Sequence, residues 1–297
     1  MSEKKDGCKT CPSQTPGKKS PASSIQDELI NSTLGRIKYK IFVMSGKGGV
    51  GKSSVAVNLA AALAVKGKKV GLMDVDIHGP SVPHLLGIKG LLDVDRGKIV
   101  KPKKYNDNLS VVSMESLLQD PDQAVLWRGP MKTSAIRQFV SDVDWGDLDY
   151  LIIDSPPGTG DEPMTVLKTI PDALCVVVTT PQEISLADVR KAINFLQYAK
   201  ANILGIVENM SGLICPHCSG KVDLFKKGGG KELAEKYGLS FLGAVPLDPA
   251  SVVAGDLGKP VVLIDEPSPA KDALKKLAEA VEEAAVNSLE AVATVHT

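Results

Sequence analysis

A chain of 297 residues that is 43% hydrophobic is long enough to bury a sizeable core and too apolar to be a disordered chain. Lys plus Arg and Asp plus Glu balance at 35 each, so the charge gives no reason to expect nucleic acid as a partner. No apolar run reaches the length of a membrane span, and the N-terminus lacks the apolar core of a secretory signal; a cytoplasmic protein without a membrane role is expected.

Residues 1 to 34, rich in Lys, Ser, Pro and Gly, read as a disordered tail carrying Cys8 and Cys11. Residues 35 to 297 read as a single domain. Ile41 to Met44 form a short apolar run before a Gly-rich loop, as a buried parallel strand does, and Lys52 to Val65 follow as a helix with Gly67 as its stop. Val70 to Met73 is a strand leading to Asp74 and Asp76. Leu109 to Met114 and Tyr150 to Ile153 are strands, the latter ending at Asp154. Ala173 to Val178 is a strand, Leu186 to Tyr198 a helix, and Ile203 to Val207 a strand that ends near Asn209. Lys231 to Tyr237 is a helix, Phe241 to Val245 a strand, and Ala270 to Val292 a closing helix. Such alternation predicts a doubly wound α/β fold, a mainly parallel sheet with helices on both faces. Ligands of such sheets bind beyond the C-terminal strand ends, where Asp74, Asp76, Asp154, Asn209 and the Gly-rich loop all fall.

The loop itself, Gly46-Lys47-Gly48-Gly49-Val50-Gly51-Lys52-Ser53, matches the phosphate-binding pattern G-x-x-x-x-G-K-[ST], with Ser54 just inside the helix. Backbone N–H groups freed by the glycines would ring the phosphate oxygens of ATP, Lys52 would reach the β- and γ-phosphates, and the Ser53 hydroxyl would ligate Mg2+. Asp154, closing an apolar strand, stands where a magnesium-holding carboxylate belongs. Asp74 is a further candidate for the magnesium shell or a turn cap. Asn209 offers the donor and acceptor that adenine recognition needs, or simply forms a turn.

The chain has five cysteines, an odd and sparse set that argues against a disulfide framework. Cys215-Pro216-His217-Cys218, within the segment 211–228, is expected in a loop between a strand and a helix. Two thiolates so spaced grip one metal but fill half the positions of a zinc ion or a 4Fe-4S cluster. The other half would come from the same pair on a second copy, or from Cys8 and Cys11 on their flexible tail. From the tetrad alone zinc is the simpler occupant. Cys175, inside an apolar strand, reads as core.

The loop with its early Lys47 is similar to the variant phosphate loops of dimeric ATPases that include partitioning proteins, septum-site proteins and nitrogenase iron protein. More widely, residues 38 to 262 resemble the Mrp/ApbC family of iron–sulfur cluster carrier ATPases. The segments that carry this are 44–53, Asp74-Val75-Asp76-Ile77-His78-Gly79-Pro80-Ser81, Trp127-Arg128-Gly129-Pro130-Met131, 154–162, Glu208-Asn209-Met210-Ser211, Cys215-Pro216-His217-Cys218 and Gly228-Gly229-Gly230. The resemblance implies a homodimer in which Lys47 crosses to the partner's nucleotide. It also implies that Asp76 positions the attacking water, that Asn209 and Pro246 border the base, and that Cys215 and Cys218 of both copies hold a bridging 4Fe-4S cluster for apo iron–sulfur proteins. The scaffold branch of the family carries four N-terminal cysteines; this chain has Cys8 and Cys11, a second cluster site at most. Two other readings stay open: a positioning or partitioning ATPase of the same fold, and a zinc-stapled nucleotide-switch adaptor.

Overall fold

The structure, a computed structural model, describes residues 21–76, 79–94, 99–117, 127, 129–215, 218, 220–225 and 227–295. In chain order the elements are α1 (Pro21–Gly35), β1 (Ile37–Ser45), α2 (Lys52–Val65), β2 (Val70–Asp74), α3 (Val82–Leu85), β3 (Asp93–Val94), β4 (Val100–Lys101), β5 (Lys103–Asn106) and β6 (Leu109–Ser113). Then follow α4 (Gly129–Ser141), β7 (Leu148–Asp154), α5 (Asp161–Thr169), β8 (Leu174–Thr179), α6 (Glu183–Tyr198), β9 (Asn202–Ile214), β10 (Lys221–Val222), α7 (Gly229–Tyr237), β11 (Phe241–Leu247), α8 (Pro249–Asp256) and α9 (Pro269–Val295).

The main sheet runs β10-β9-β8-β1-β7-β2-β6-β5, with β11 also on β9. Its pairs are parallel except β10 with β9 and β5 with β6. Successive side chains of a strand point to opposite faces. Ile41 and Val43 of β1 therefore join one core layer with α2, α8 and α9, while Phe42 and Met44 join the other with α1, α4, α5, α6 and α7. This two-sided burial is why the central strands read as unbroken apolar runs. The expected doubly wound, mainly parallel sheet is what the chain forms. α2 is apolar on every side and is buried from Val55 through Ala64, wedged between β1 and α9.

The structure corrects the sequence reading in two places. Residues 21–34 were expected to be tail, yet α1 starts at Pro21. Ile30 and Leu34, one helical turn apart, are buried in the second core layer, and Arg137 of α4 donates to Gln26 Oε1 (3.1 Å) and Asp27 Oδ1 (2.6 Å). With Ile25 and Leu29 exposed, the apolar stripe is too narrow to stand out among polar neighbours. The strand expected to end near Asn209 continues to Ile214, through left-handed Met210 (φ 56°) and Gly212 (φ 74°). The cysteine segment is consequently the tip of a β9–β10 hairpin rather than a strand-to-helix loop, with Lys221 opposite Ile214 and Val222 opposite Leu213.

Candidate functional site

β1 lies mid-sheet, so the loop from Gly46 to Ser53 opens at the centre of the C-terminal edge. Gly49 and Gly51 take left-handed conformations (φ 79° and 77°) that turn the backbone around the loop. A side chain at Gly46 would stand 2.4 Å from the Asp188 carbonyl carbon, so only glycine lets the loop lie on α6. The Ser45 hydroxyl donates to Lys47 O (2.9 Å), and Gly158 N–H to Ser45 O (2.9 Å), tying the loop to the segment after β7.

Strand register sets the carboxylates. Asp154 at the end of β7 lies level with Val43 of β1 and with Asp74 of β2, which is itself level with Ser113 of β6. Asp154 and Asp74 are both fully buried. Burial drives the Asp74 carboxyl well above the usual range, the Asp154 charge adds to this, and Lys52 opposes it. Asp154 is raised too, by burial, against the pull of Lys52. Lys52 Nζ donates to Asp154 Oδ1 at 2.5 Å and to Ser53 Oγ at 3.2 Å. Both Asp74 oxygens accept hydrogen bonds, from Asp76 N–H (3.0 Å) and from the Ser113 hydroxyl (2.9 Å). Among the described residues, by contrast, Asp154 Oδ2 is a buried oxygen that accepts none. Such an atom is rare and asks for a cation or an ordered water.

Two cavities meet at this loop. One of about 160 Å³ is lined by Lys47, Gly48, Lys52, Ser53, Asp76 and Pro157 among others, and so gathers both lysines, the serine and Asp76. Asp76 is held by Gly79 N–H on Oδ1 (3.1 Å). The second, about 260 Å³, takes in Gly51, Ser54, Asn209, Pro246, Leu247 and Val252. Asn209 Nδ2 donates to Val50 O (2.9 Å), so this amide is engaged with the Gly-rich loop that was expected at the same sheet edge. Together the cavities offer a polar end for phosphates and a more apolar end for a nucleoside.

At the hairpin tip Cys215 is half-buried and Cys218 exposed, and Cys215 N–H donates to Gly220 O (2.9 Å). Among the described residues no group of three or more His, Cys, Asp or Glu is placed to hold a metal ion. Cys8, Cys11 and His217 lie outside the described residues. Cys175 is core, as expected, and burial pushes its thiol up to about 12. Sequence reasoning did not assign two residues that the structure brings forward. Ser113 completes the Asp154–Asp74–Ser113 row, and buried Glu208 binds Ser211 and the start of α7. A lone carboxylate ending an apolar strand is the one signal that could have singled out Glu208.

Residues 36–282 match the family described as ParA: NUBPL iron-transfer P-loop NTPase. The chain belongs to this iron-transfer P-loop NTPase family. The resemblance drawn from the motifs is borne out at family level. The iron-sulfur cluster carrier protein of Methanocaldococcus jannaschii is 47% identical over 268 residues, covering 89% of this chain and 92% of that one. Its counterpart in Saccharolobus solfataricus is 46% identical over 256 residues, with 86% of each chain covered. Among solved structures, a nucleotide-binding protein from Archaeoglobus fulgidus in complex with ADP, with cobalt found, shares 42% identity at a TM-score of 0.71, covering 82% of this chain and 95% of that one. The cell division ATPase MinD of Pyrococcus furiosus is more distant, at 26% identity and a TM-score of 0.61, covering 82% and 98%. Among the described residues no helix of this family member is long and apolar enough to cross a membrane.

Proposed function

We propose that this chain is an ATP-dependent iron–sulfur cluster carrier: two copies hold one 4Fe-4S cluster between their Cys215 and Cys218 pairs and pass it to apo iron–sulfur proteins. The observation that carries this reading is that β9 borders the nucleotide-type site at Asn209 and carries the two-cysteine hairpin at its end, with no third ligand beside the cysteines among the described residues. A four-ligand cluster on two such hairpins is held half by each chain and faces outward, which suits release to a recipient. The names of relatives at 46–47% identity favour the carrier over a positioning ATPase, whose representative here stands at 26%. Cys8 and Cys11 would serve as a second cluster site.

At the nucleotide, the Gly46–Ser54 loop would enclose the phosphates and Lys52 would bind the β- and γ-oxygens. Asn209 and Pro246 would border the base. Ser53 and Asp154 would hold Mg2+, and the unpartnered Asp154 Oδ2 supports this assignment. Asp74, with both oxygens engaged, fits the outer part of that shell as the residue that orients its neighbours. A magnesium ion held by these residues would neutralise phosphate charge. Asp76, fixed by Gly79 on the edge of the phosphate cavity, would orient the attacking water, and Lys47 from the second copy would stabilise charge on the transferred phosphoryl group. Hydrolysis by a lone chain would accordingly be slow.

The test is Cys215→Ala and Cys218→Ala, purified without oxygen and reconstituted with iron and sulfide. Each variant should bind ATP like the parent while losing iron, sulfide and the brown chromophore. Stable cluster in both variants would remove this pair from the site, and stoichiometric zinc without sulfide in the parent would favour the adaptor instead.

A further inference from the structure

The cysteine hairpin and the phosphate loop are joined through two consecutive residues of β9. Glu208 is the last residue of β9 paired with β8, opposite Thr179. Beyond it the strand bulges: Asn209 to Leu213 of β9 is paired with only Val245 to Leu247 of β11, and Met210 and Gly212 supply the left-handed turns. Everything past the bulge, including Cys215, is carried on that bend.

A single buried carboxylate closes both ends of this excursion. Glu208 Oε1 accepts the Ser211 hydroxyl (2.6 Å), inside the bulge and past the last residue paired with β8. The same oxygen accepts Gly228 N–H (3.1 Å), and Oε2 accepts Gly230 N–H (2.6 Å), where the chain returns and α7 begins. The start of α7 offers free N–H groups and a positive dipole end to this charge. The approach is close: a side chain at Gly230 would lie 3.0 Å from Glu208 Cβ. On the opposite face of the strand, Asn209 Nδ2 donates to Val50 O, and a side chain at Gly51 would stand 2.2 Å from that nitrogen. Val50–Gly51 of the phosphate loop is thus in contact with Asn209, whose backbone neighbour is Glu208.

We propose that Glu208 is a positioning residue: it clasps the base of the cysteine hairpin and makes the setting of Cys215 and Cys218 follow the state of the nucleotide loop through Asn209. The proposal deepens the carrier reading, and it depends on the assignment of the cysteines to a cluster only for its consequence in transfer. Its test therefore uses the metal-free full-length chain and reads thiols directly.

Alkylation rates of Cys215 and Cys218 are measured by peptide mass spectrometry with no nucleotide, with Mg-ADP and with a non-hydrolysable ATP analogue. In the parent, nucleotide should change the rate about fivefold or more, the scale of an ordinary coupling between two sites. Glu208→Gln keeps the size and loses the charge and one acceptor; it should leave nucleotide affinity within about twofold while abolishing most of the response. Ser211→Ala, a milder change that keeps the fold if Glu208→Gln does not, should lower the response, and Ser211→Thr, which retains the hydroxyl, should keep it. No nucleotide effect in the parent overturns the proposal. So does a parent-like response in both Glu208→Gln and Ser211→Ala, or a loss of nucleotide binding that parallels the loss of response, since that would make the clasp a scaffold element only. If thiol coupling is found while no cluster binds, the carrier reading fails and the clasp stands.

Discussion

Replacing Lys52 by Met tests the electrostatics of the site most sharply. Lys52 is 7% and Asp154 0% exposed at the side chain, so the pair is buried, and Asp74 sits in register beside it with its own buried carboxyl. Removing the cation takes away the main group that opposes burial of the Asp154 charge and one of those that do so for Asp74, leaving hydrogen bonds alone to offset it. Breaking a buried pair costs about 3–5 kcal/mol. The lower value of about 3 kcal/mol applies, because Asp154 is free to take up a proton and the phosphate cavity admits water. At about 2.1 cal/mol/K of unfolding entropy per residue, a domain of this size loses about 5 °C of Tm. The penalty also depends on pH. Both carboxyls are raised in the folded state, and further raised without Lys52, so the folded chain binds more protons than the unfolded one. Stability then falls as pH rises from about 4, the unfolded aspartate value, through the raised folded values. The gap between variant and parent should be widest near pH 8 and narrow toward pH 5, measured by urea unfolding without nucleotide. Adding Asp154→Asn to Lys52→Met should recover about half of the loss at pH 8, as coupling between contacting residues requires. A Lys52→Met protein as stable as the parent at pH 8, or one whose deficit grows on acidification, would refute the reasoning.

Gly46→Ala should destabilise the fold by about 1–3 kcal/mol and weaken ATP binding in calorimetry, since the new methyl meets rigid α6 backbone; unchanged stability and affinity would show that the loop and helix part easily. Ile30→Ala should cost about 2–5 kcal/mol in urea unfolding if α1 is docked as described, and nothing if it is not. At pH 8 native Cys175 should resist iodoacetamide and react only after unfolding; labelling as fast as exposed Cys218 would contradict its burial.

The central strands were legible because a strand covered on both faces is apolar at every position, as in Ile41–Met44 and Leu151–Ile153. The phosphate loop was legible because its geometry demands glycine and lysine at fixed spacings. What stayed hidden depends on contacts between distant residues. β10 is two exposed residues, Lys221 and Val222, and has no periodicity to detect, so the hairpin under Cys215 and Cys218 was unreadable. The Asp154–Asp74–Ser113 row exists only through the pairing of β7, β2 and β6. The Glu208 clasp joins residues 20 and 22 positions apart. α1 was missed because its two buried side chains are few among polar ones, and its identity as a helix rests on what α4 offers it.

The most direct trial of the carrier account is a native mass measurement, paired with iron and sulfide analysis, on anaerobically reconstituted parent and Cys215→Ala protein. The account predicts a two-chain species carrying about four irons and four sulfides, one cluster's worth, in the parent and none in the variant. A full cluster on a single chain, or a cluster-bearing dimer that survives Cys215→Ala, would contradict it.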